Sequence, residues 1–127
     1  MSMKVLIVDD ERDVEVLFRQ RFRRETRRGE IELLFAFSGE EALGVLEAQG
    51  RADVVLVLSD INMPGMTGLD LLRMIKSEPP PVPVCMMTAY ENEEYRRKAD
   101  DGGCDGYLTK PLDFDALKEQ IRSLTAE

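Results

Sequence analysis

The sequence has 127 residues, the size of one domain with room for a sizeable core, and its 43% hydrophobic and 33% charged residues describe a globular chain, not a disordered one. The net charge of −8 argues against nonspecific nucleic-acid binding, and the apolar runs are too short to span a bilayer. Histidine is absent, which excludes a His-based triad, a His-containing zinc site and a phosphohistidine donor within the chain.

Met1-Ser2-Met3-Lys4 enters a strand at once, so no signal peptide is read and the cytoplasm is the expected location. Met3 to Val8 is that strand, followed by Asp9-Asp10-Glu11. Val14, Leu17, Phe18 and Phe22 recur at helical spacing and predict one helix from Asp13 to about Arg27, ended by Gly29. Ile31 to Phe37 is a second strand. Ser38, with Glu41 three residues on, forms a capping-box pattern that starts a helix at Glu40, running to about Ala48 before Gly50.

Val54 to Leu58 is wholly aliphatic and predicts a strand buried on both faces. Ser59-Asp60-Ile61-Asn62-Met63-Pro64-Gly65 follows, and its Pro and Gly force a loop. Leu69, Leu72, Met74 and Ile75 fit a third helix, ended by Pro79-Pro80-Pro81. Val82 to Met87 is the fourth strand, leading into Thr88-Ala89-Tyr90. Glu91 to Asp101 is a polar helix with little apolar surface, and Gly106 to Thr109 is a short fifth strand before Lys110-Pro111. Phe114, Leu117, Ile121 and Leu124 give a last helix, with Asp113 or Asp115 near its start.

Five strands alternating with five helices imply an α/β domain with a parallel sheet covered on both faces. The expected doubly wound order is 2-1-3-4-5. In that order the carboxyl ends of four neighbouring strands deliver Asp9 and Asp10, Asp60, Thr88 and Lys110 to one crevice. Three close carboxylates call for a cation, and oxygen ligands without His or Cys point to Mg²⁺. Asp60 is the natural nucleophile for a phosphoryl group, with Thr88 and Lys110 as catalytic partners on the other phosphoryl oxygens. Taken singly, each of these residues is more often a cap, a turn or a loop; their fall at successive strand ends is the signal.

Cys85 reads as a small buried hydrophobe, and Cys104 lies in a Gly-rich turn. Arg12, Arg19, Arg23 and Arg27 share one face of the first helix, either as a solvated face with a Glu15–Arg19 pair or as a docking face for an acidic kinase or phosphotransfer partner.

The segments VLIVDDE at 5–11, SDINMPGMTGLDLL at 59–72, MTAY at 87–90 and YLTKP at 107–111 resemble the receiver domain of two-component response regulators. The resemblance runs from about Lys4 to Leu124 and implies one receiver domain over 1–127 with the flavodoxin-like receiver fold. It implies phosphorylation of Asp60 by a partner histidine kinase or phosphotransfer protein. It implies Mg²⁺ held by Asp10, Asp60 and the main-chain carbonyl of Asn62, with Asp9 assisting through water. Thr88 and Tyr107 would be the switch pair, and the Lys110–Pro111 bond would be cis. The output, a domain or a separate protein, would be met through the fourth helix, fifth strand and fifth helix, with no direct nucleic-acid or membrane binding. Val55 stands where many relatives carry an acidic residue, which would lengthen the third strand or shift its start.

By the same resemblance Asn62 and Tyr90 flank the path of a hydrolytic water. Asn62 would orient it. The Tyr90 ring would cover its approach and slow autodephosphorylation, or point outward as a surface aromatic. An aspartate-nucleophile phosphatase would need an acid where Asn62 stands. A flavin-binding carrier would need a phosphate-holding loop where Asp9-Asp10-Glu11 stands. A degenerate receiver-like interaction domain would have lost one of Asp10, Asp60, Thr88 or Lys110, and all are present.

Overall fold

Along the three central strands apolar side chains alternate, and both sets are buried. In a computed structural model, which describes residues 2–90 and 92–125, Val5 and Ile7 join one core cluster while Leu6 and Val8 join the other. Leu56 and Leu58 against Val57, and Cys85 and Met87 against Val84 and Met86, divide in the same way. A sheet that is apolar on both faces must be covered twice, which is why helices pack on each side.

The elements run β1 (Met3–Val8), α1 (Asp13–Arg21), α2 (Arg23–Arg27), β2 (Ile31–Ala36), α3 (Gly39–Gln49), β3 (Val54–Asp60), α4 (Gly68–Lys76), β4 (Val84–Thr88), α5 (Glu93–Asp101), β5 (Gly106–Thr109) and α6 (Phe114–Thr125). The strands form one parallel sheet in the order β2-β1-β3-β4-β5, as expected. Phe18 and Phe22 together with Leu117 and Ile121 bring α1 and α6 onto one face. Ala42 and Leu46 from α3, Leu71, Leu72 and Ile75 from α4, and Ala99 from α5 cover the other.

Several boundaries differ from the sequence expectation. The first predicted helix is interrupted at Phe22 (φ −105°, ψ 12°) and becomes α1 and α2, although Phe22 N–H still donates to Phe18 O and Thr26 N–H to Phe22 O. No Pro or Gly marks the break. The Phe22 ring is fully buried, stacked on Phe18 at 5.8 Å and edge-on to Phe114 at 6.1 Å, so packing sets it. β3 continues through Ser59 and Asp60, since β4 pairs with both. Its register against β1 shifts at Val55, which is left between the pairs Lys4–Val54 and Val5–Leu56, a bulge at the position where the resemblance led us to expect an acidic residue. β4 begins at Val84, two residues later than read, after three prolines and Pro83.

Leu17, Met74 and Leu124, which helped mark the helices by their spacing, are 40%, 46% and 37% exposed. Asp113 caps α6, its Oδ1 accepting from Ala116 N–H at 3.1 Å. The fourth predicted helix begins at Glu93, capped by Asn92; Glu91, its expected first residue, lies outside the described residues. The Lys110–Pro111 bond is cis, as is Pro79–Pro80.

Candidate functional site

β1 stays apolar to its end at Val8, so Asp9 and Asp10 emerge together at the carboxyl edge of the sheet. Val8 lies opposite Ser59, Asp60 opposite Met87, and Thr88 opposite Thr109. Four strand ends thus reach one edge, and Lys110 follows the last of them. Ser59, one residue before Asp60, falls on the other side by strand alternation; its Oγ donates to the Asp60 carbonyl at 2.9 Å.

One carboxylate oxygen from each of Asp9, Asp10 and Asp60 lies within 4.8 Å of the others. Asp9 and Asp60 are buried and Asp10 is exposed. Lys110 Nζ donates to Asp9 Oδ2 at 2.7 Å and lies 3.6 Å from Asp60 Oδ1. The other Asp9 oxygen accepts from Glu11 N–H at 2.9 Å. Both Asp9 oxygens are thereby engaged, while Asp10 faces the opening.

Burial pushes the Asp60 carboxyl up from 3.8 to about 6. The Lys110 ammonium opposes this rise, and the Asp9 and Asp10 charges add to it. Burial works against the charge on Lys110, but its bond to Asp9 and the nearby Asp60 outweigh that and hold its pKa above the ordinary value. The crevice therefore keeps an excess of negative charge that one ammonium does not neutralise.

The donor set is carboxylate oxygen alone, which fits a hard divalent cation such as Mg²⁺ and suits neither zinc nor copper. Asn62 lies on the loop just past β3 with its side chain exposed.

Thr88 is fully buried at the end of β4, and its Oγ1 accepts from Tyr90 N–H at 3.0 Å. Lys110 N–H donates to Thr88 O at 2.8 Å, tying the two strand ends together. Tyr107, on β5, is half-buried with its hydroxyl oxygen buried, and the Arg96 guanidinium of α5 lies 5.0 Å over its ring. Tyr90 is 69% exposed.

Sequence reasoning passed over two residues that hold the Asp60 loop. Gly68 N–H donates to Ile61 O at 2.8 Å, and a Cβ at Gly68 would lie 2.0 Å from the Asp60 carbonyl oxygen. No larger residue fits that approach. Thr67 caps α4 in a reciprocal box with Asp70, both bonds at 3.1 Å. The signal was present as Thr67-Gly68-Leu69-Asp70, an N-cap residue with an acid three places on. Cys85 is inert: burial pushes its thiol up to about 12, and Gln120 Nε2 contacts Sγ at 3.2 Å.

The family model for the response regulator receiver domain matches residues 5–122. The chain belongs to the response regulator receiver family. This receiver domain is 37% identical over 121 residues to the response regulator protein FleR of Pseudomonas aeruginosa, covering 95% of the chain and 24% of FleR. It is 32% identical over 124 residues to the response regulator MprA of Mycobacterium bovis, covering 98% of the chain and 51% of MprA. The chain thus spans about half of one of these curated relatives and about a quarter of the other. Among solved structures it resembles the receiver domain of the response regulator Ssk1 of Saccharomyces cerevisiae, crystallised with the histidine phosphotransfer protein Ypd1. The TM-score is 0.81 at 25% identity, covering 97% of this chain and 88% of that one.

Proposed function

We propose that this receiver domain is a phosphorylation-activated signalling switch whose Asp60 accepts a phosphoryl group from a histidine kinase or phosphotransfer protein in a Mg²⁺-dependent step. The observation that carries the reading is the convergence of Asp9, Asp10 and Asp60 oxygens within 4.8 Å, with Lys110 3.6 Å from Asp60. An Asp60 oxygen attacks phosphorus as the phosphorus–nitrogen bond of a phosphohistidine donor breaks, and the nitrogen keeps the electron pair. Mg²⁺ held by Asp10, Asp60 and the Asn62 carbonyl would neutralise phosphoryl charge. Asp9 stays bound to Lys110 and Glu11 N–H, orienting the ammonium toward Asp60. The Thr88 hydroxyl takes a second phosphoryl oxygen, and Tyr107 follows it inward, which alters the face of α5, β5 and α6 where an output domain or protein binds. The site catalyses its own phosphorylation and slow dephosphorylation and acts on no other substrate. The domain works in the cytoplasm; among the described residues no helix is long and apolar enough to cross a membrane.

The phosphodonor protein seats on the groove between α1 and the β5–α6 loop. Val14, Leu17, Phe18, Pro111 and Phe114 line this apolar groove of about 270 Å³, and Lys110 stands at its edge. A donor seated there lies beside Asp60. Ssk1's complex with a histidine phosphotransfer protein supports a partner of this kind.

Intact-mass measurement with a small-molecule phosphodonor tests the assignment. Wild type gains one phosphoryl mass with Mg²⁺, and chelation or Asp60→Asn abolishes the gain. Phosphorylation of Asp60→Asn at the wild-type rate would remove Asp60 from its role.

A further inference from the structure

The charge of the chain is unevenly distributed. Residues 12–28 hold seven Arg against three acids, a stretch of +4 in a chain of net −8. The structure uses some of that charge internally. Arg12 lies over the Phe37 ring at 4.1 Å; Arg19 pairs with Glu15 at 2.7 Å and lies over Phe35 at 4.8 Å. These two are fastened to the protein's own surface, so the face expected from Arg12, Arg19, Arg23 and Arg27 is not one open patch.

The positive charge gathers lower down instead. Arg21, Arg23, Arg24, Arg27 and Arg28 line an open cleft of about 620 Å³ with Lys118 of α6, and among the described residues Asp115 is its sole acidic lining residue. Lys118 is matched by Glu25 at 3.1 Å, and Arg28 reaches Glu30 only at 3.9 Å. Arg23, Arg24 and Arg27 make no ion pair among the described residues and are exposed. Like charges held this close repel one another, so an anion that enters the cleft relieves repulsion as well as gaining attraction. Guanidinium forks match carboxylates in paired geometry.

The position of the cleft selects the kind of anion. Arg21 lines both this cleft and the apolar groove that reaches Lys110. Groove and cleft form one track along α1, α2 and the start of α6, apolar near the phosphoacceptor and basic farther away. A protein seated on the groove would lay its next segment along the arginines. We infer that the α2 cleft docks an acidic segment of the phosphodonor protein, an extension of the groove contact that selects partners by charge. The inference rests on the reading of Asp60 as phosphoacceptor and of the groove as the donor's seat.

The experiment uses the full chain labelled with ¹⁵N and three probes: a synthetic amphipathic peptide with Glu on one face and Leu on the other, a copy with every Glu replaced by Gln, and inorganic polyphosphate. The acidic peptide is expected to shift amides of Arg23–Arg27 together with those of Leu17 and Leu112, and raised salt to weaken it. The Gln copy, and the acidic peptide on Arg24→Glu/Arg27→Glu, are each expected to bind at least about tenfold more weakly, as several lost attractions and added repulsions require. Equal binding of the two peptides to wild type overturns the inference with no variant involved. So does unchanged affinity in the double variant, or polyphosphate binding where the acidic peptide does not. Phosphorylation by a small-molecule donor, read by mass on the same samples, separates the two readings. If Asp60 gains the phosphoryl mass while the acidic peptide leaves α2 unshifted, the docking inference alone fails; if no mass is gained, the phosphoacceptor reading fails first.

Discussion

Helices α4 and α5 are neighbours on one face of the sheet, each nine residues long, and they are held in opposite ways. α4 buries Leu69, Leu71, Leu72 and Ile75, and a reciprocal Thr67–Asp70 box closes its start. α5 buries only Ala99, with Tyr95 half-buried, and is capped by Asn92 alone, whose Oδ1 accepts from Glu94 and Tyr95 N–H. Each large aliphatic side chain buried contributes about 2 kcal/mol, so the two helices differ by several such contributions. The firm helix follows the Asp60 loop, and the weakly held one follows the Thr88 loop. The proposed switch would use this division: a site that keeps its geometry and a surface that can be shifted at small cost.

The sharpest way to break the comparison is to truncate both helices. Ile75→Ala is expected to cost about 2–5 kcal/mol in urea unfolding, through lost burial and a cavity. Arg97→Ala, on the exposed side of α5, is expected to stay within about 0.5 kcal/mol. Similar losses at the two positions would show that α5 is as firmly built as α4. Next in size is Gly68→Ala. Its Cβ would meet the Asp60 carbonyl at 2.0 Å, and the backbone must move at a cost of about 3 kcal/mol. Because that carbonyl belongs to Asp60, the proposed phosphoacceptor, the variant should also lose phosphorylation rate at temperatures where it stays folded. A stable, fully reactive Gly68→Ala would mean the loop tolerates displacement.

The firm half of the molecule was the legible half. Aliphatic runs announced β1, β3 and β4, and the carboxylates were placed correctly because strand order brings together residues as distant as Asp9 and Lys110, 101 positions apart. Failures occurred where packing overrides local pattern. The break at Phe22 has no breaker residue and follows from a buried aromatic cluster. β3 was read as ending at Leu58 because Ser59 and Asp60 are polar, yet both are buried and paired. Leu17 and Met74 marked their helices correctly by spacing, but spacing did not reveal that both are exposed, and Leu17 lines the groove proposed for the donor. The contact between Gly68 and the Asp60 carbonyl crosses from a strand end to a helix start, which periodicity does not describe.

The third test uses pH and bears on the strain carried at the end of β3. Asp60 titrates near 6 when folded against an ordinary 3.8, so the folded chain takes up this proton more readily than the unfolded one. Between about pH 4 and about pH 6 the unfolded state binds less of it, so this group's effect lowers stability as pH rises through that window and is constant above. At neutral pH the ionised carboxylate costs roughly 2 kcal/mol after allowance for solvent screening. Asp60→Asn is expected to recover it, and the difference between variant and wild type should fade below about pH 4, where the carboxyl is protonated in both states. A pH-independent difference would remove the buried charge as its cause. Mg²⁺ favours the ionised form and should raise the wild-type melting temperature more at pH 7 than at pH 5.

A smaller effect is expected in α5 itself. A phosphoryl mimic can shift the helix only through contacts that differ between the two states, and the Thr88 hydroxyl is the group able to make them. Arg96 over the Tyr107 ring gives α5 a direct contact with the proposed switch aromatic. Amide exchange in α5 should change with the mimic in wild type and not in Thr88→Ala, while α4 stays protected in both. Equal responses in the two proteins would break the relay.

The smallest effect concerns Tyr90. A ring that shields a hydrolytic water must be held over the site, and holding requires contacts. Tyr90 is 69% exposed, and its backbone N–H, not its ring, is what engages Thr88. The exposure supports the reading of Tyr90 as an aromatic offered to partners, with an apolar body and a polar tip suited to an interface. Decay of phosphorylated Tyr90→Ala, with Mg²⁺ present and donor removed, should then match wild type within about twofold, a barrier change of roughly 0.4 kcal/mol. Binding to the output partner should weaken more than that. A decay accelerated about tenfold would return Tyr90 to the role of shield, since a barrier change of about 1.4 kcal/mol needs the ring over the site in the phosphorylated state.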